Sequence, residues 1–322
     1  MKNFCHLHLH SQFSLLDGIN RFDSLVARVK ELGMTSCAVT DHGNLYGALD
    51  FYKEAKKGGI KPIIGMEAYI TNDQDKLEEN KNRDNHHLVL LAQNKKGFAN
   101  LCKLISNANF NNFYYKPRIN INLLKENCEG LIATSACIGG WVAQGGVFLE
   151  DKHYRDPDSI ALNRALELKE AFQGRFYLEI QDQEMWEQKA FNEWILAIHK
   201  GAGIPTIISA DAHYLKKEDQ DTHKLIMAQQ LKKTLEEYEA GTEMKYGSGF
   251  YVKSPEEMLI GAKKAGLEEA AENTLQVAEE CNLDFELGKY NMPLFDITKA
   301  SDYDEFKRYQ STSRFECYTK VR

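Results

Sequence analysis

Residues 36–70 read SCAVTDHGNLYGALDFYKEAKKGGIKPIIGMEAYI. The opening run, 36–40, is short, apolar and β-branched, the composition of a buried strand. Leu49, Tyr52 and Ala55 then recur at helical spacing until Gly58 and Gly59 stop the pattern. A second apolar run fills 62–70. Strand, helix, strand is the pattern of a crossover unit in a parallel sheet. The first strand ends on Asp41 and His42, and Glu67 interrupts the second. A carboxylate isolated in an apolar strand is costly to bury, so it calls for a partner, and a metal ion is one.

The alternation continues on both sides. Strand-like runs occupy 4–9, 88–92, 130–134, 176–180 and 205–209. Phe22, Leu25, Val26, Val29 and Leu32 form one helical face, stopped by Gly33. Phe98, Leu101, Cys102, Leu104, Ile105 and Ala108 form another, and helices are predicted near 159–172, 185–200 and 267–281. About seven such units favour a closed or nearly closed α/β barrel over an open sheet. Residues 72–85 are polar and aperiodic and read as a loop. From about Pro293 the composition changes, and residues 302–322 read as a terminal helix or the stub of a larger chain.

At 322 residues and 43% hydrophobic, the chain can bury a sizeable core. A net charge of −7 argues against a dedicated duplex-DNA binder. An acidic cluster neutralised by metal ions can still receive a phosphate. The seven cysteines form no CxxC pair and suit a reducing compartment. The N-terminus MKNFCHLHLH has no signal core, and no run is long enough to span a membrane. A soluble, cytoplasmic protein with no membrane partner is expected.

Metal-type ligands collect at the strand ends. His8 and His10 close the first run, and residues two apart on a strand share a face. His6 has the same parity but lies one step deeper, as a packed or supporting histidine. Asp17 follows in LLDG, His87 opens HHLVLL, Cys137 closes TSAC, and Asp211 and His213 close SADAH. Each has a plain alternative: Asp17 and Asp41 as caps or turn residues, Cys137 as core, His87 as surface, His8 and His10 as satisfied strand histidines. Six strand ends offering such groups together favour one site at the carboxyl edge of the sheet. Imidazoles and carboxylates with one thiolate suit zinc, iron or manganese over magnesium or calcium. The donors exceed one tetrahedral ion and fit two or three divalent ions.

HLHLHSQFSLLDG, AVTDHGNLYGALDFYKEAKKGGIKPIIGMEAY, HHLVLLAQNKKGFANLCKLIS, FYYKPRI, LIATSAC and SADAHYL, in this order, resemble the polymerase-and-histidinol-phosphatase (PHP) domain of the bacterial DNA polymerase III alpha subunit. The resemblance covers residues 1–295 and implies a distorted (β/α)7 barrel, with 296–322 as a tail or the stub of a following polymerase region. By motif it places metal ligands at His8, His10, Asp17, His42, Glu67, His87, Cys137, Asp211 and His213. His8, His10, Glu67 and Asp211 would hold one ion and carry catalysis. Glu67 would bridge to a second, held by His87 and Cys137. Asp17, His42 and His213 would hold the third, with Asp211 as a ligand it could share.

The implied activity is metal-dependent phosphoester hydrolysis, 3′–5′ exonuclease-like on single-stranded DNA. Lys116 and Arg118, beside Tyr114 and Tyr115, would steady a substrate phosphate, or else belong to an ordinary exposed loop. Lys53, Lys56 and Lys57 read as a solvated helix face. Polymerase activity is not expected of these residues alone, and the ending STSRFECYTKVR departs from the family pattern after MPLF. Implied partners are other replicase subunits, a proofreading exonuclease among them. Two alternatives stay open: a non-catalytic, metal-stabilised docking module for that subunit, or a free-standing small-molecule phosphatase of histidinol-phosphate type. The latter would lack the GNLYGALDFYKEAKK and FYYKPRI surroundings.

Overall fold

The structure, a computed structural model, describes residues 3–72, 85–143, 159–241 and 247–289. After an extended segment at residues 4–10 come α1 (Phe22–Glu31), β1 (Ser36–Val39), α2 (Ala48–Gly58) and β2 (Lys61–Thr71). Next are β3 (His86–Ala92), α3 (Lys95–Phe110), β4 (Phe113–Tyr114), β5 (Lys116–Asn120), α4 (Ile121–Glu126) and β6 (Leu131–Thr134). Then follow α5 (Ser159–Phe172), β7 (Phe176–Gln181), α6 (Trp186–Ala202) and β8 (Thr206–Ser209). The last helices are α7 (Gln220–Gln230), α8 (Leu235–Ala240), α9 (Pro255–Lys264) and α10 (Glu269–Glu280). Local chemistry sets several ends. Gly59 takes a left-handed φ of 76° to terminate α2, and Ser254 with Glu257 forms a reciprocal capping box on α9.

The sheet is mixed, which corrects the all-parallel expectation. β1 runs parallel to the first half of β2, and β6, β7 and β8 run parallel to one another. β3 is antiparallel to both β2 and β6. Parallel neighbours need a long crossover, usually a helix, and the sequence joining β2 to β3 carries no helical periodicity. The strand therefore returns in the opposite sense.

Backbone hydrogen bonds carry the ring across the segment at 4–10. Ala38 N donates to His6 O, Thr40 N to Leu9 O, and His10 N to Ala212 O beyond the end of β8. Between these bonds the segment advances three residues, from His6 to Leu9, while the chain through the end of β1 advances two, from Ala38 to Thr40. The extra residue is a bulge, and it explains why the predicted strand at 4–9 appears as an isolated bridge, Leu9 to Ala212, instead of a regular ladder. With β1, β2, β3, β6, β7 and β8, the segment completes seven staves of a distorted (β/α)7 barrel.

Leu7, Ala38, Ile63, Val89, Ile132 and Ile207 fill the barrel, and Val277 and Ala278 of α10 join the same buried cluster. Burying each large aliphatic side chain contributes about 1.5–3 kcal/mol. Lys61 Nζ donates to Ala278 O at 2.6 Å, fixing α10 at the amino-terminal end of β2. The opposite rim is left for chemistry.

The described residues up to Asp284 form one compact unit. The expected boundary at 295/296, the tail, and most of the predicted loop at 72–85 lie outside the described residues. Among the described residues, no helix is long and apolar enough to cross a membrane.

Candidate metal centre

The bulged first segment delivers His8 and His10 side by side, with their Nε2 atoms 3.2 Å apart. Each ring is oriented from behind. His8 Nδ1 lies 2.7 Å from Glu179 Oε1, to which it donates. His10 Nδ1 lies 2.9 Å from Ser14 Oγ, whose own proton goes to Asp41 Oδ1 at 2.8 Å. With both Nδ1 atoms committed as donors, both neutral rings turn an Nε2 lone pair inward. Two such lone pairs repel at that separation, so without metal a proton lies between them, and a metal ion would take its place.

Asp211 Oδ1 is 3.2 Å from both Nε2 atoms. Glu67 stands 3.3 Å from His8 through Oε1 and 3.4 Å from His10 through Oε2. Glu67 also meets His87 Nδ1 at 2.9 Å and His42 Nδ1 at 2.6 Å. Yet both Glu67 oxygens, Asp211 Oδ1 and His42 Nδ1 are buried without an aligned hydrogen bond. Ring nitrogens and carboxylate oxygens that converge out of hydrogen-bond alignment fit a site built around cations.

Three groups of ligand atoms, each mutually within 4.8 Å, mark where ions would sit: His8–His10–Asp211, His42–Glu67–His87 and His10–His42–His213. Asp17 joins the last region, 2.9 Å from His42 Nε2 and 3.6 Å from His213 Nε2. Cys137 Sγ lies 3.6 Å from His87 Nδ1 but belongs to none of the three groups. All nine sequence-predicted ligands thus meet at one rim. The antiparallel run of β3 explains His87, which stands near the strand's amino end yet reaches the carboxyl ends of its neighbours.

Without metal, the ionisable groups compensate one another. Burial alone would lower His8, but Asp211, Glu179 and Glu67 hold its pKa well above 6.5. Burial likewise opposes the charged form of His42, yet Glu67 and Asp17 carry it to about 10. His10, deeply buried and facing His42 and His213, falls to about 3. Glu67 is pulled well below the carboxylate range despite its burial, by His87, His42 and His8. Cys137 is pushed well above 9 by burial and by the charges of Glu67 and Asp211. Cation binding here would release protons from His8, His42 and Cys137.

Three turns that carry candidate ligands hold non-glycine residues in left-handed backbone: Leu16 before Asp17, Ala136 before Cys137, and Asp211 itself. Such positions cost about 1–3 kcal/mol each and cluster at functional sites.

Sequence reasoning missed two residues. Glu179, inside β7, accepts from His8, Thr134, Ser209 and Gln181. It interrupts an apolar strand as Glu67 does, so the same signal was present. His223 comes from α7, and its Nε2 lies 3.7 Å from Asp17 Oδ1. Its helical context gave no signal. Asp41 accepts from Ser11 N, Ser11 Oγ and Ser14 Oγ, the turn-fixing role open to it from sequence. His6 is fully buried, with Nε2 donating to Lys253 O at 3.0 Å, as a packed histidine. Arg118 is also fully buried, its guanidinium 5.2 Å from the Tyr114 ring, whereas Lys116 is exposed with Nζ 5.1 Å from the Tyr69 ring.

The PHP domain model matches residues 6–183. DNA polymerase III subunit alpha of Helicobacter pylori (strain ATCC 700392 / 26695) is 41% identical over 329 residues, covering 98% of this chain and 26% of the relative. That of Aquifex aeolicus is 39% identical over 319 residues, covering 95% and 27%. The chain spans about a quarter of the length of these curated relatives. A Bifidobacterium adolescentis structure described as a metal-dependent phosphoesterase shares 13% identity at a TM-score of 0.42, covering 80% of this chain and 96% of that one. The chain that carries this rim of histidines and carboxylates belongs to the PHP domain family.

Proposed function

We propose that this chain is a metal-dependent phosphoesterase domain of the DNA polymerase III alpha type, hydrolysing DNA phosphodiesters from a single-stranded 3′ end. The observation that carries the reading is the facing pair of His8 and His10 Nε2 atoms, both 3.2 Å from Asp211. Two or three zinc, manganese or iron ions would supply Lewis-acid charge and an activated water. His8, His10, Glu67 and Asp211 would hold the principal ion, with His87 and Cys137, and then Asp17, His42 and His213, serving the others. Hydrolysis forms a phosphorus–oxygen bond to water and breaks the bond to O3′, which takes up a proton. The other replicase subunits, including a proofreading exonuclease, are the proposed partners, and the cytoplasm is the proposed location.

The test is shortening of a labelled single-stranded oligonucleotide in the presence of each metal. Wild type is expected to degrade it from the 3′ end, and His8→Ala or Asp211→Ala to abolish degradation while the fold survives. Histidinol phosphate as competitor separates the small-molecule phosphatase, which would prefer it. A non-catalytic docking module is the second reading, favoured by the complete burial of His8 and His10. Full metal occupancy with no hydrolysis would decide for it.

A further inference from the structure

The rim is closed around His8, His10 and Glu67 but opens at His87 and His42, whose side chains keep 24% and 15% of their surface in solvent. Tyr69 stands at this opening, its ring 5.4 Å from His87 and 6.0 Å from His42. Lys116 Nζ lies over that same ring. The β4–β5 hairpin that carries Lys116 is pressed against the site. A Cβ on Gly43, whose φ is +56°, would come within 2.8 Å of the Tyr69 ring and 3.0 Å of Pro117. Only glycine permits this approach.

On this hairpin and at the helix end that leads into it are three large exposed aromatic side chains: Phe110 at the end of α3, 87% exposed, Phe113 on β4, 55%, and Tyr115 at the hairpin turn, 60%. Lys116 belongs to the same hairpin and is exposed. Other cations of this part of the chain are engaged elsewhere: Lys96 faces Glu129 at 3.7 Å, Lys125 faces Glu167 at 2.5 Å, and Arg118 is buried. Exposed aromatics interleaved with amides and flanked by an exposed lysine are the surface chemistry of single-strand recognition. Rings stack bases of any sequence, and ammonium groups follow the phosphates.

We propose that Phe110, Phe113 and Tyr115 form a base-stacking platform and Lys116 a phosphate contact, together guiding single-stranded DNA into the opening at His87 and His42. The proposal deepens the hydrolase reading by naming how the strand is held. It also removes Arg118 from the substrate contacts, since that side chain is buried against Tyr114.

The test is fluorescence anisotropy of a labelled oligo(dT) with the whole chain, beside hydrolysis of bis(p-nitrophenyl) phosphate. Stacking contributes about 1–3 kcal/mol per base, so Phe110→Ala combined with Phe113→Ala is expected to weaken oligonucleotide binding tenfold or more. Turnover of the small diester is expected to stay unchanged. Lys116→Ala is expected to lower the slope of log affinity against log salt by about 0.7, the value for one phosphate contact on a single strand. Oligonucleotide affinity within twofold of wild type in the aromatic double variant, or no saturable binding by wild type, overturns the platform. Loss of binding in that variant supports it even where nothing is hydrolysed, an outcome that would sink the hydrolase reading alone. Small-diester turnover without oligonucleotide binding does the reverse.

Discussion

His8 Nδ1 stands 2.7 Å from Glu179 Oε1, and both side chains are wholly removed from solvent. The contact fixes which nitrogen of His8 faces the rim. Glu179 is held in turn by Ser209 Oγ and Thr134 Oγ1, each at 2.5 Å, and by Gln181 Nε2 at 3.0 Å. A carboxylate behind a ligating imidazole raises its basicity and locks its orientation.

Glu179→Gln keeps the size of the side chain but removes its charge. It is expected to weaken metal binding by about 10–100-fold with little change in secondary structure. Calorimetric titration of the metal-stripped protein with zinc or manganese reads this directly, and an unchanged dissociation constant would refute the supporting role. Glu179→Ala strands four donors at once and is expected to unfold at markedly lower temperature.

Metal removal is expected to destabilise the chain, because the rim otherwise gathers carboxylates and imidazoles that only their own protons compensate. An ion at 100 times its dissociation constant adds about 2.7 kcal/mol, or roughly 5 °C in melting temperature at this size. Thermal melts with and without chelator measure the difference. In Glu67→Gln, which removes the carboxylate facing four imidazoles, the chelator is expected to matter far less. Equal melting temperatures for stripped and loaded wild type would count against any ion at the rim.

Cys137 adds the one soft donor, beside His87. Cys137→Ser is expected to reduce zinc affinity more than manganese affinity, since oxygen suits the harder ion. Because the thiol is protonated in the metal-free protein, zinc binding to wild type is also expected to release more protons than binding to the variant. Titrations in two buffers of different ionisation enthalpy count those protons. A parallel loss for both metals, with equal proton release, would remove Cys137 from the ligand set.

The convergence of these side chains on one rim was legible in the sequence because the candidate ligands break local rules. Glu67 interrupts an apolar strand, and His8 with His10, or Asp211 with His213, repeat at a spacing that keeps one face. Glu179 broke the same rule, but no neighbouring histidine drew attention to it. Its partner lies 171 positions away in the chain. The direction of β3 was not legible, because periodicity shows that a strand exists and not which way it runs. The bulge at residues 6–9 was hidden likewise, since an inserted residue shows only once β1 is placed beside it. The supports His223 and Ser14 sit in ordinary polar contexts, where pattern carries no message.

His6 provides a pH test away from the candidate ligand atoms. Burial lowers its pKa from 6.5 to about 4 in the folded chain, while Nε2 donates to Lys253 O. A folded-state pKa below the unfolded value means that the unfolded chain binds the extra proton first. The stability contributed by neutral His6 is therefore complete above pH 6.5 and lost as the pH falls toward 4. By pH 4.5 the loss amounts to about 2.5 kcal/mol. His6→Gln retains an N–H for Lys253 but cannot titrate. Urea unfolding of both proteins, metal-stripped, at pH 7.5 and pH 4.5 isolates the difference. The acid-dependent loss is expected to be smaller in the variant by about that amount, whereas identical losses would show that His6 gains its proton without unfolding anything around it.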